Sequence, residues 1–333
     1  MIVERRNSGR EREAHLGPKV VALGGGHGLA ASLSALRHLT DQLTAVVTVA
    51  DDGGSSGRLR REFGVLPPGD LRMALSALCD DSEWGRLWRD VLQHRFASAG
   101  ALHDHALGNL LIVTLWELLD DPVSGLDWVG RLLGARGRVL PMAAVPLDIE
   151  ASVLGIDPDD PTALATVRGQ VAVATTPGRV IGVHLTPHNP PARPEVLEAV
   201  RTADWVVLGP GSWFTSVLPH LLVPELERAL RQTSAKRILT LNLGPQPGET
   251  DGFSPETHLE VLSAHAPDLR VDAVLVDPSA VTDADQLAGV ADSMGAIVLT
   301  REISLSDGTA RHDPLLLAAA YRDLISGVVP VKT

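Results

Sequence analysis

The chain has 333 residues, 44% of them hydrophobic and 3% aromatic, which allows one large α/β domain or two smaller ones with a sizeable core. Its formal net charge of -12 argues against nucleic-acid binding, because contact with a phosphate backbone needs a basic surface. Cys79 is the single cysteine, which excludes an intrachain disulfide and is typical of the reducing cytoplasm.

The first 17 residues and the lengths of the apolar runs bear on localisation. Residues 1–17 mix arginines with glutamates and lack the apolar segment of a signal peptide, so we expect them to form a disordered tail. No apolar run approaches the roughly 18 residues that a membrane helix needs. We therefore expect a cytoplasmic protein that does not insert into a membrane.

Two apolar runs near the start of the chain each lead into a polar, glycine-rich loop. Residues 19–23 predict a strand buried on both faces, residues 29–39 predict a helix, and residues 43–50 predict a second strand. This order implies a right-handed crossover into a parallel sheet. The loops after the two strands contain Gly24, Gly25, Gly26, His27 and Gly28, and Asp51, Asp52, Gly53, Gly54, Ser55 and Ser56.

These two loops favour a ligand that carries phosphate, most simply a nucleotide. Inward-pointing N–H groups of consecutive glycines form an anion site, and a following helix N-terminus adds a favourable dipole. The first loop matches neither the dinucleotide pattern nor a Walker loop. Asp51 and Asp52 could bind ribose hydroxyls, hold Mg²⁺, or simply cap the turn. Arg60 is our choice for a phosphate contact, because its guanidinium matches phosphate oxygens.

The middle of the chain predicts helices, followed by a segment of short β-like runs. Asp70 is expected to cap a helix over residues 71–78, and helical patterns follow at 84–96 and 107–119. Between residues 138 and 186, short β-like runs alternate with Pro, Asp and Gly, which indicates a small antiparallel insertion. Those runs are residues 139–140, 147–153, 170–175 and 180–185.

An alternating strand and helix pattern returns after residue 204 and completes the fold prediction. We predict an α/β fold: a three-layer, Rossmann-like, doubly wound and mostly parallel sheet, in one domain over residues 18–333 with a β-rich insertion at 138–186. The later strands are expected at residues 205–208, 237–241, 273–276 and 297–300, and the clearer helices at 195–201, 223–230 and 256–264.

Two more polar loops follow predicted strands, at residues 209–216 and 242–252. An ordinary helix cap is the alternative explanation for the first of them. Four such loops at carboxyl ends of strands point to a ligand at that edge of the sheet. His105 and its neighbouring histidines lack the spacing of a zinc site, and neither a serine elbow nor an exposed thiol indicates covalent catalysis.

At these residues the chain resembles the YvcK family, the gluconeogenesis factors, which are related to the 2-phospho-L-lactate transferase CofD. The matching segments lie between residues 20 and 253 and cover most of the chain. They read VVALGGGHGLAASL, TAVVTVADDGGSSGRLRREFGVLPPGDLR, LQHRF, LGNLL, RGRVLP, VVLGPGSWFTSVLPHLLVP and QPGETDGF.

The resemblance implies a Rossmann-like fold that binds a UDP-sugar of the UDP-N-acetylglucosamine type, with no required cofactor and no established catalysis. It also implies a role in carbon flux towards the cell envelope, in cell shape, and in growth on gluconeogenic carbon sources. The nucleotide-sugar site that we expect consists of Gly24, Gly25, Gly26, His27, Gly28, Asp51, Asp52, Gly53, Gly54, Ser55, Ser56, Arg60, Asp70, His105, Asn109, Gly209, Gly211, Ser212, Thr215, Asn242 and Thr250.

The alternative is a Mg²⁺-dependent transferase of the phospholactate type, with the metal at Asp51 or Asp52. A homodimer and regulation by a Ser/Thr kinase are two further partner hypotheses that the sequence leaves open. The chain departs from the family pattern at His27, where relatives carry Thr, and at Met73, where they carry Asn. It departs again at Asp104, where they carry Gly, and in the loop around Gly244 and Pro245.

Overall fold

A computed structural model describes residues 17–246 and 249–331. Apart from Gly17, the tail expected at residues 1–17 lies outside the described residues. Within the part that is described, no helix is both long and apolar enough to cross a membrane. In chain order the first elements are β1 (Val20–Gly24), α1 (Gly26–Leu36), β2 (Leu43–Val47), α2 (Gly54–Phe63), α3 (Gly69–Leu78), α4 (Glu83–Gln93), α5 (Leu107–Leu119) and α6 (Pro122–Leu133).

From residue 138 onwards, the described residues form a further eight strands and six α-helices, with a short π-helix at Trp213–Val217 and short 3-10 helices at Leu218–Leu222 and Pro278–Ala280. They are β3 (Arg138–Pro141), β4 (Asp148–Leu154), β5 (Leu164–Arg168), α7 (Gln170–Ala174), β6 (Arg179–Thr186), α8 (Pro194–Thr202), β7 (Trp205–Leu208), α9 (Pro224–Gln232), β8 (Lys236–Thr240), α10 (Pro255–His265), β9 (Ala273–Val276), α11 (Ala284–Ser293), β10 (Ile297–Thr300) and α12 (Pro314–Ile325).

Seven parallel strands form the main sheet in the order β10-β9-β8-β7-β1-β2-β3. Every residue of β1, β7 and β9 is buried, because helices cover both faces of the sheet. α1 packs against α3 and α12, whereas α8 packs against α9, and α10 against α11. The prediction of a mostly parallel, doubly wound α/β fold is confirmed.

A second sheet of three antiparallel strands, in the order β5-β4-β6, forms the predicted insertion. The sequence assigned Val139 and Leu140 to this insertion, and that assignment is wrong: β3 pairs in parallel with β2 at the edge of the main sheet. The run 170–175 is also not a strand. It forms α7, whose first turn is held by a hydrogen bond from the Val171 N–H to Asp52 Oδ1 at 3.1 Å.

Candidate functional site

β1 lies where the chain changes its direction of travel across the main sheet. From β1 the chain proceeds to β2 and β3 on one side, and later returns to β7 on the other side. In open parallel sheets, ligands bind beyond the carboxyl ends of the strands at such a point. We call the space between the loops after β1, β2 and β7 the switch-point crevice.

The loops after β1 and β7 approach each other closely enough to require glycine. A Cβ atom at Gly28 would overlap the Pro210 carbonyl group and lie 2.6 Å from the Gly211 Cα atom. A Cβ atom at Gly25 would lie 2.6 Å from both Asp70 Oδ2 and the Thr48 methyl group. The loops after β1 and β7 therefore pack backbone against backbone at Gly28 and Gly211.

Two helices begin at the crevice, and neither has a capping side chain at its N-cap residue. Gly25 is the N-cap of α1 and Gly53 is the N-cap of α2. Gly26 opens α1 with φ of +54°, a left-handed conformation that glycine adopts readily. Neither first turn carries an acidic residue. Both helix starts suit an anion, since N–H groups and the helix dipole favour negative charge, and at α1 the Asp70 carboxylate already accepts from the Gly26 N–H.

Asp51 and Asp52, adjacent in sequence, point to different partners. Asp51 Oδ1 accepts the Gly53 N–H at 2.9 Å and turns the loop into α2. Burial raises the pKa of the Asp51 carboxyl, while the hydrogen bonds from Gly53 and Ser56 act in the opposite direction. Asp52 instead accepts the Val171 N–H from the insertion. Only Asp51 therefore faces inwards, towards the start of α3.

Asp70 lies in the first turn of α3 and does not cap that helix, contrary to our expectation. The N-cap residue is Pro68, because the chain already adopts helical geometry there. Asp70 Oδ2 is buried and has no hydrogen-bond partner among the described residues. Burial and the negative charge of Asp51 raise the pKa of Asp70 to about 7, against the opposing effects of the Gly26 N–H and Arg72. Asp70 thus lies beside the first glycine loop as a carboxyl group that titrates near neutrality.

Ser55, His105, Asn109 and Arg72 form one buried hydrogen-bond network. The Ser55 hydroxyl accepts from the Asn109 side chain at 3.0 Å and from the Ala106 N–H at 3.3 Å, so its own proton is left for His105 Nδ1 at 3.1 Å. His105 is therefore neutral with its proton on Nε2, in agreement with the burial that lowers its pKa. Arg72 Nε donates to Asn109 Oδ1 at 2.9 Å.

The network places a cation beneath the crevice. Arg72 is 4% exposed, and burial lowers its pKa to about 10, so it stays charged at neutral pH. Its guanidinium also donates to Gln93 Oε1. Sequence reasoning proposed His105 and Asn109 from the resemblance but missed Arg72 and Gln93. An arginine between the apolar residues Leu71 and Ala74 of a predicted helix was the available signal.

The loop after β8 braces the loop after β7. Asn242 Oδ1 accepts the Gly211 N–H at 2.9 Å, and Asn242 Nδ2 donates to the Gly211 carbonyl at 2.9 Å. Thr250 acts within its own loop, where its hydroxyl accepts the Gln246 N–H at 2.8 Å. Asn242 therefore fixes the loop after β7. Thr250 acts on Asn242 indirectly, because it holds Gln246, whose Oε1 accepts from Asn242 Nδ2 at 3.5 Å.

The carboxylate of Glu249 accepts the hydrogen bonds that the loop after β7 could donate to an anion. Its Oε1 accepts the Phe214 N–H at 2.7 Å, the Thr215 N–H at 3.2 Å and the Ser212 hydroxyl at 2.5 Å. Ser212 and Thr215 also bond each other. These donors are engaged within the protein, so the third loop contributes shape to the crevice, while phosphate-binding N–H groups are expected at α1 and α2. Glu249 was missed because its partners lie 34 to 37 residues earlier in the sequence.

Comparison with known proteins supports the family resemblance that the sequence motifs indicated. A family model described as 2-phospho-L-lactate transferase CofD matches residues 20–295. A protein of Mycobacterium tuberculosis H37Rv, provisionally named a gluconeogenesis factor, is 56% identical over 303 residues, covering 90% of this chain and 88% of that one. The gluconeogenesis factor of Bacillus subtilis 168 is 37% identical over 266 residues, 80% of each chain. The chain belongs to the YvcK gluconeogenesis factors of the CofD family.

A solved structure of this family has the same fold. The crystal structure of a UPF0052-family protein from Bacillus halodurans, at 2.60 Å resolution, superimposes with a TM-score of 0.80 at 33% sequence identity. The match covers 91% of this chain and 98% of that one. The two proteins therefore share their fold over nearly the whole chain, and not only in the main sheet.

The CofD relationship raises the question of Mg²⁺, which the transferase alternative places at Asp51 or Asp52. Within residues 17–246 and 249–331, no three His, Cys, Asp or Glu side chains come together as a metal site. The geometry instead brings Asp51 towards Asp70, because Asp51 Oδ2 is 2.8 Å from the position of a Cβ atom at Gly69. Asp52 is directed to Val171. If Mg²⁺ binds, Asp51 and Asp70 are the carboxylates that would hold it, together with phosphates of the substrate.

Arg60 makes contacts other than the one we predicted. Its guanidinium donates to the Leu147 carbonyl at 2.8 Å and to Asp148 Oδ1 at 2.7 Å, and so links α2 to the start of β4. A phosphate contact through Arg60 would require that this ion pair open. The phosphate role of Arg60 stays a prediction, and its observed role is to join the second loop to the insertion.

Asp52 gives a testable separation of binding from folding. Asp52→Ala removes the bond to Val171 and loosens the loop 51–56, so we expect nucleotide-sugar affinity to fall about tenfold while stability falls by about 1 kcal/mol. Asp121→Ala is the matched control, because Asp121 caps α6 through the same kind of bond. It should lose similar stability and keep full affinity. Calorimetric titration and thermal melting measure both quantities; an equal loss of affinity in both variants would contradict the prediction.

Proposed function

We propose that the switch-point crevice binds a nucleotide sugar of the UDP-N-acetylglucosamine type. One observation carries the proposal: the glycine-rich loops after β1, β2 and β7 converge at the single point of the sheet where parallel α/β folds bind ligands. The convergence is tight enough that Gly28 cannot carry a side chain.

The two uncapped helix starts divide the work of binding in this proposal. The diphosphate lies across the N-termini of α1 and α2, where N–H groups and two helix dipoles meet. The buried cation Arg72 adds a favourable field beneath them. Ser55 and Asn109 support the site from within the protein, because Ser55 bonds His105 and Asn109 accepts from Arg72. Contacts that bind the ground state and the transition state equally well give affinity without catalysis.

The cellular role that we propose follows from the relatives. Proteins named gluconeogenesis factor from Bacillus subtilis and Halalkalibacterium halodurans match 80% and 79% of this chain. We therefore propose that this protein is a cytoplasmic regulator, required for growth on gluconeogenic carbon sources, that links carbon metabolism to cell-envelope synthesis and cell shape. A nucleotide sugar of envelope synthesis is a suitable signal for such a regulator.

Titration calorimetry with UDP-N-acetylglucosamine, with and without Mg²⁺, tests the binding. We expect one ligand per chain, little dependence on Mg²⁺, and no turnover when the nucleotide is followed by chromatography. UDP-N-acetylglucosamine that fails to bind would overturn the proposal. Sustained release of UDP or UMP beyond one equivalent per protein would replace the regulator with an enzyme.

A second candidate function is a transferase of the phospholactate type, and one observation favours it. Asp51 and Asp70 place two carboxyl groups beside the proposed diphosphate position, and Asp70 Oδ2 lacks a partner. Mg²⁺ held there would neutralise charge on the diphosphate. The glycine loops would then orient the diphosphate for attack by an acceptor hydroxyl. Incubation with Mg²⁺, a nucleoside diphosphate that carries the hydroxy acid as donor, and an acceptor alcohol decides between the two functions, because transfer of the phosphorylated hydroxy acid to the acceptor releases the nucleoside monophosphate.

A further inference from the structure

Three buried hydroxyl groups form a chain that ends at the switch-point crevice. The Tyr321 hydroxyl lies 2.9 Å from Thr240 Oγ1 and 2.9 Å from Ser32 Oγ, and Ser32 Oγ lies 2.9 Å from the Gly209 carbonyl oxygen. Each of the three residues is 0% exposed. Tyr321 is the only tyrosine in the chain. A helix near the C-terminus, α12, is thereby connected to the loop after β7.

The directions of these hydrogen bonds follow from the number of protons available. The Gly209 carbonyl can only accept, so the Ser32 proton points towards it. Ser32 must then accept from Tyr321, and Tyr321 in turn accepts from Thr240. Burial raises the pKa of Tyr321 to about 12, so its hydroxyl keeps the proton that this order needs. The chain is directional: Thr240 donates to Tyr321, Tyr321 to Ser32, and Ser32 to Gly209.

The hydrogen bond from Tyr321 favours one of two orientations open to the Ser32 hydroxyl. A free serine hydroxyl in mid-helix tends to bond the carbonyl four residues earlier, which here belongs to Gly28. By donating to Ser32 Oγ, Tyr321 holds that hydroxyl in the orientation that reaches Gly209 on the neighbouring loop. The bond to Gly209 therefore depends on a side chain from α12.

Gly209 is the residue at which this constraint matters for the crevice. Its φ is +71°, and its N–H donates to the Leu23 carbonyl of β1 at 3.1 Å. Two residues later, Gly211 is held by Asn242. The loop is thus fixed from β1, from the loop after β8, and from α1 through Ser32. Pro210, between the two glycines, is the group that packs against Gly28.

We infer that Tyr321 is a positioning residue for the switch-point crevice, which fixes the Gly209–Gly211 backbone against the first glycine loop through Ser32. α12 lies beyond the region that the CofD family model matches, which ends at residue 295. This gives the C-terminal helix a role in shaping a site that it does not itself line. The effect on ligand affinity rests on the proposed function, whereas the effect on the loop does not.

Hydrogen exchange of the Gly209 and Gly211 amides in the ligand-free protein tests the inference directly. Tyr321→Phe keeps the ring and its packing and removes only the hydroxyl, so we expect exchange at these two amides to accelerate about tenfold. Ser32→Ala cuts the last bond of the chain and should accelerate exchange at least as much. Thr240→Val removes only the distant donor, leaves the bond from Tyr321 to Ser32 intact, and should change exchange little.

Ala320→Gly is the matched control for a general weakening of α12. Ala320 is buried beside Tyr321, and glycine at this helical position lowers stability without touching the hydroxyl chain. Exchange of the Gly209 and Gly211 amides should therefore accelerate in Ala320→Gly no more than its loss of global stability requires. If Tyr321→Phe and Ala320→Gly accelerate exchange equally, or if Tyr321→Phe does not change it, Tyr321 is a packing residue and the inference is wrong.

A second readout connects the loop to the ligand. With UDP-N-acetylglucosamine as the probe, Tyr321→Phe should raise the Kd about tenfold and Ala320→Gly should leave it unchanged. Unchanged affinity together with accelerated exchange would limit the role of Tyr321 to the free protein and overturn the part of the inference that concerns the ligand. If the wild-type protein does not bind the probe at all, the proposed function fails, while the exchange result still decides the role of Tyr321.

Discussion

Replacing Gly28 with alanine should abolish nucleotide-sugar binding and destabilise the protein by about 3 kcal/mol. The added methyl group would overlap the Pro210 carbonyl and lie 2.6 Å from Gly211 Cα, both of them backbone groups that cannot rotate away. The loops after β1 and β7 must then separate, and the crevice between them changes shape. Calorimetric titration measures the binding, and chemical denaturation measures the free energy of unfolding.

Gly289→Ala is the matched control, with the opposite expected sign. Gly289 lies in α11 on an exposed face, and a Cβ atom there meets nothing within 4 Å. Alanine should therefore stabilise the protein by about 0.5–1 kcal/mol, because it lowers the entropy of the unfolded chain and favours the helix. Gly28→Ala with wild-type affinity would show that the ligand does not bind at the junction of these two loops.

Asp70→Asn should stabilise the protein above pH 7 by up to about 4 kcal/mol and change its stability little at pH 4. The carboxyl pKa is 3.8 in the unfolded chain and about 7 in the folded protein, so between these values the folded state binds more protons. Stability of the wild-type protein therefore falls as the pH rises from about 4 to about 7. The asparagine has no charge to bury, and this decline should be reduced in the variant.

Asp277→Asn is the control, because the carboxylate of Asp277 is also buried but has hydrogen-bond partners. It accepts the N–H groups of Ser279, Ile303 and Ser304. Those bonds lower its pKa against the effect of burial, so Asp277→Asn should destabilise the protein at pH 8. Denaturation curves at pH 5, 6, 7 and 8 give both comparisons. An Asp70→Asn variant that is less stable than wild type at pH 8 would show that the Asp70 charge is needed for folding.

Asp70→Asn also helps to distinguish a regulator from a transferase. Without metal, removing the Asp70 charge should strengthen binding of an anionic diphosphate, because one negative charge beside α1 is gone. If binding of UDP-N-acetylglucosamine instead requires Mg²⁺ and is lost in Asp70→Asn, the two carboxylates hold a metal. That outcome would favour the transferase.

The sequence by itself determined the elements whose signals are local. Residues 20–23 are apolar and lead into three glycines, and this pattern predicts a buried strand and a loop whatever the rest of the chain does. The same holds for β2, β7 and β9, which were predicted at or near their observed bounds. The edge of the sheet that carries the site followed from the same pattern, because parallel strands place all their carboxyl ends together.

Only the tertiary structure decided which side chains meet at that edge. The apolar, β-branched run 170–175 has strand propensity, yet it forms α7 because Asp52, more than a hundred residues earlier, accepts a hydrogen bond from its first turn. The charge of Asp51 raises the pKa of Asp70 on a different element, and Glu249 accepts the hydrogen bonds that the third loop donates. Tyr321 reaches Ser32 across 289 residues. Contacts of this kind depend on how helices and loops pack in three dimensions, and neither local propensity nor periodicity contains that information.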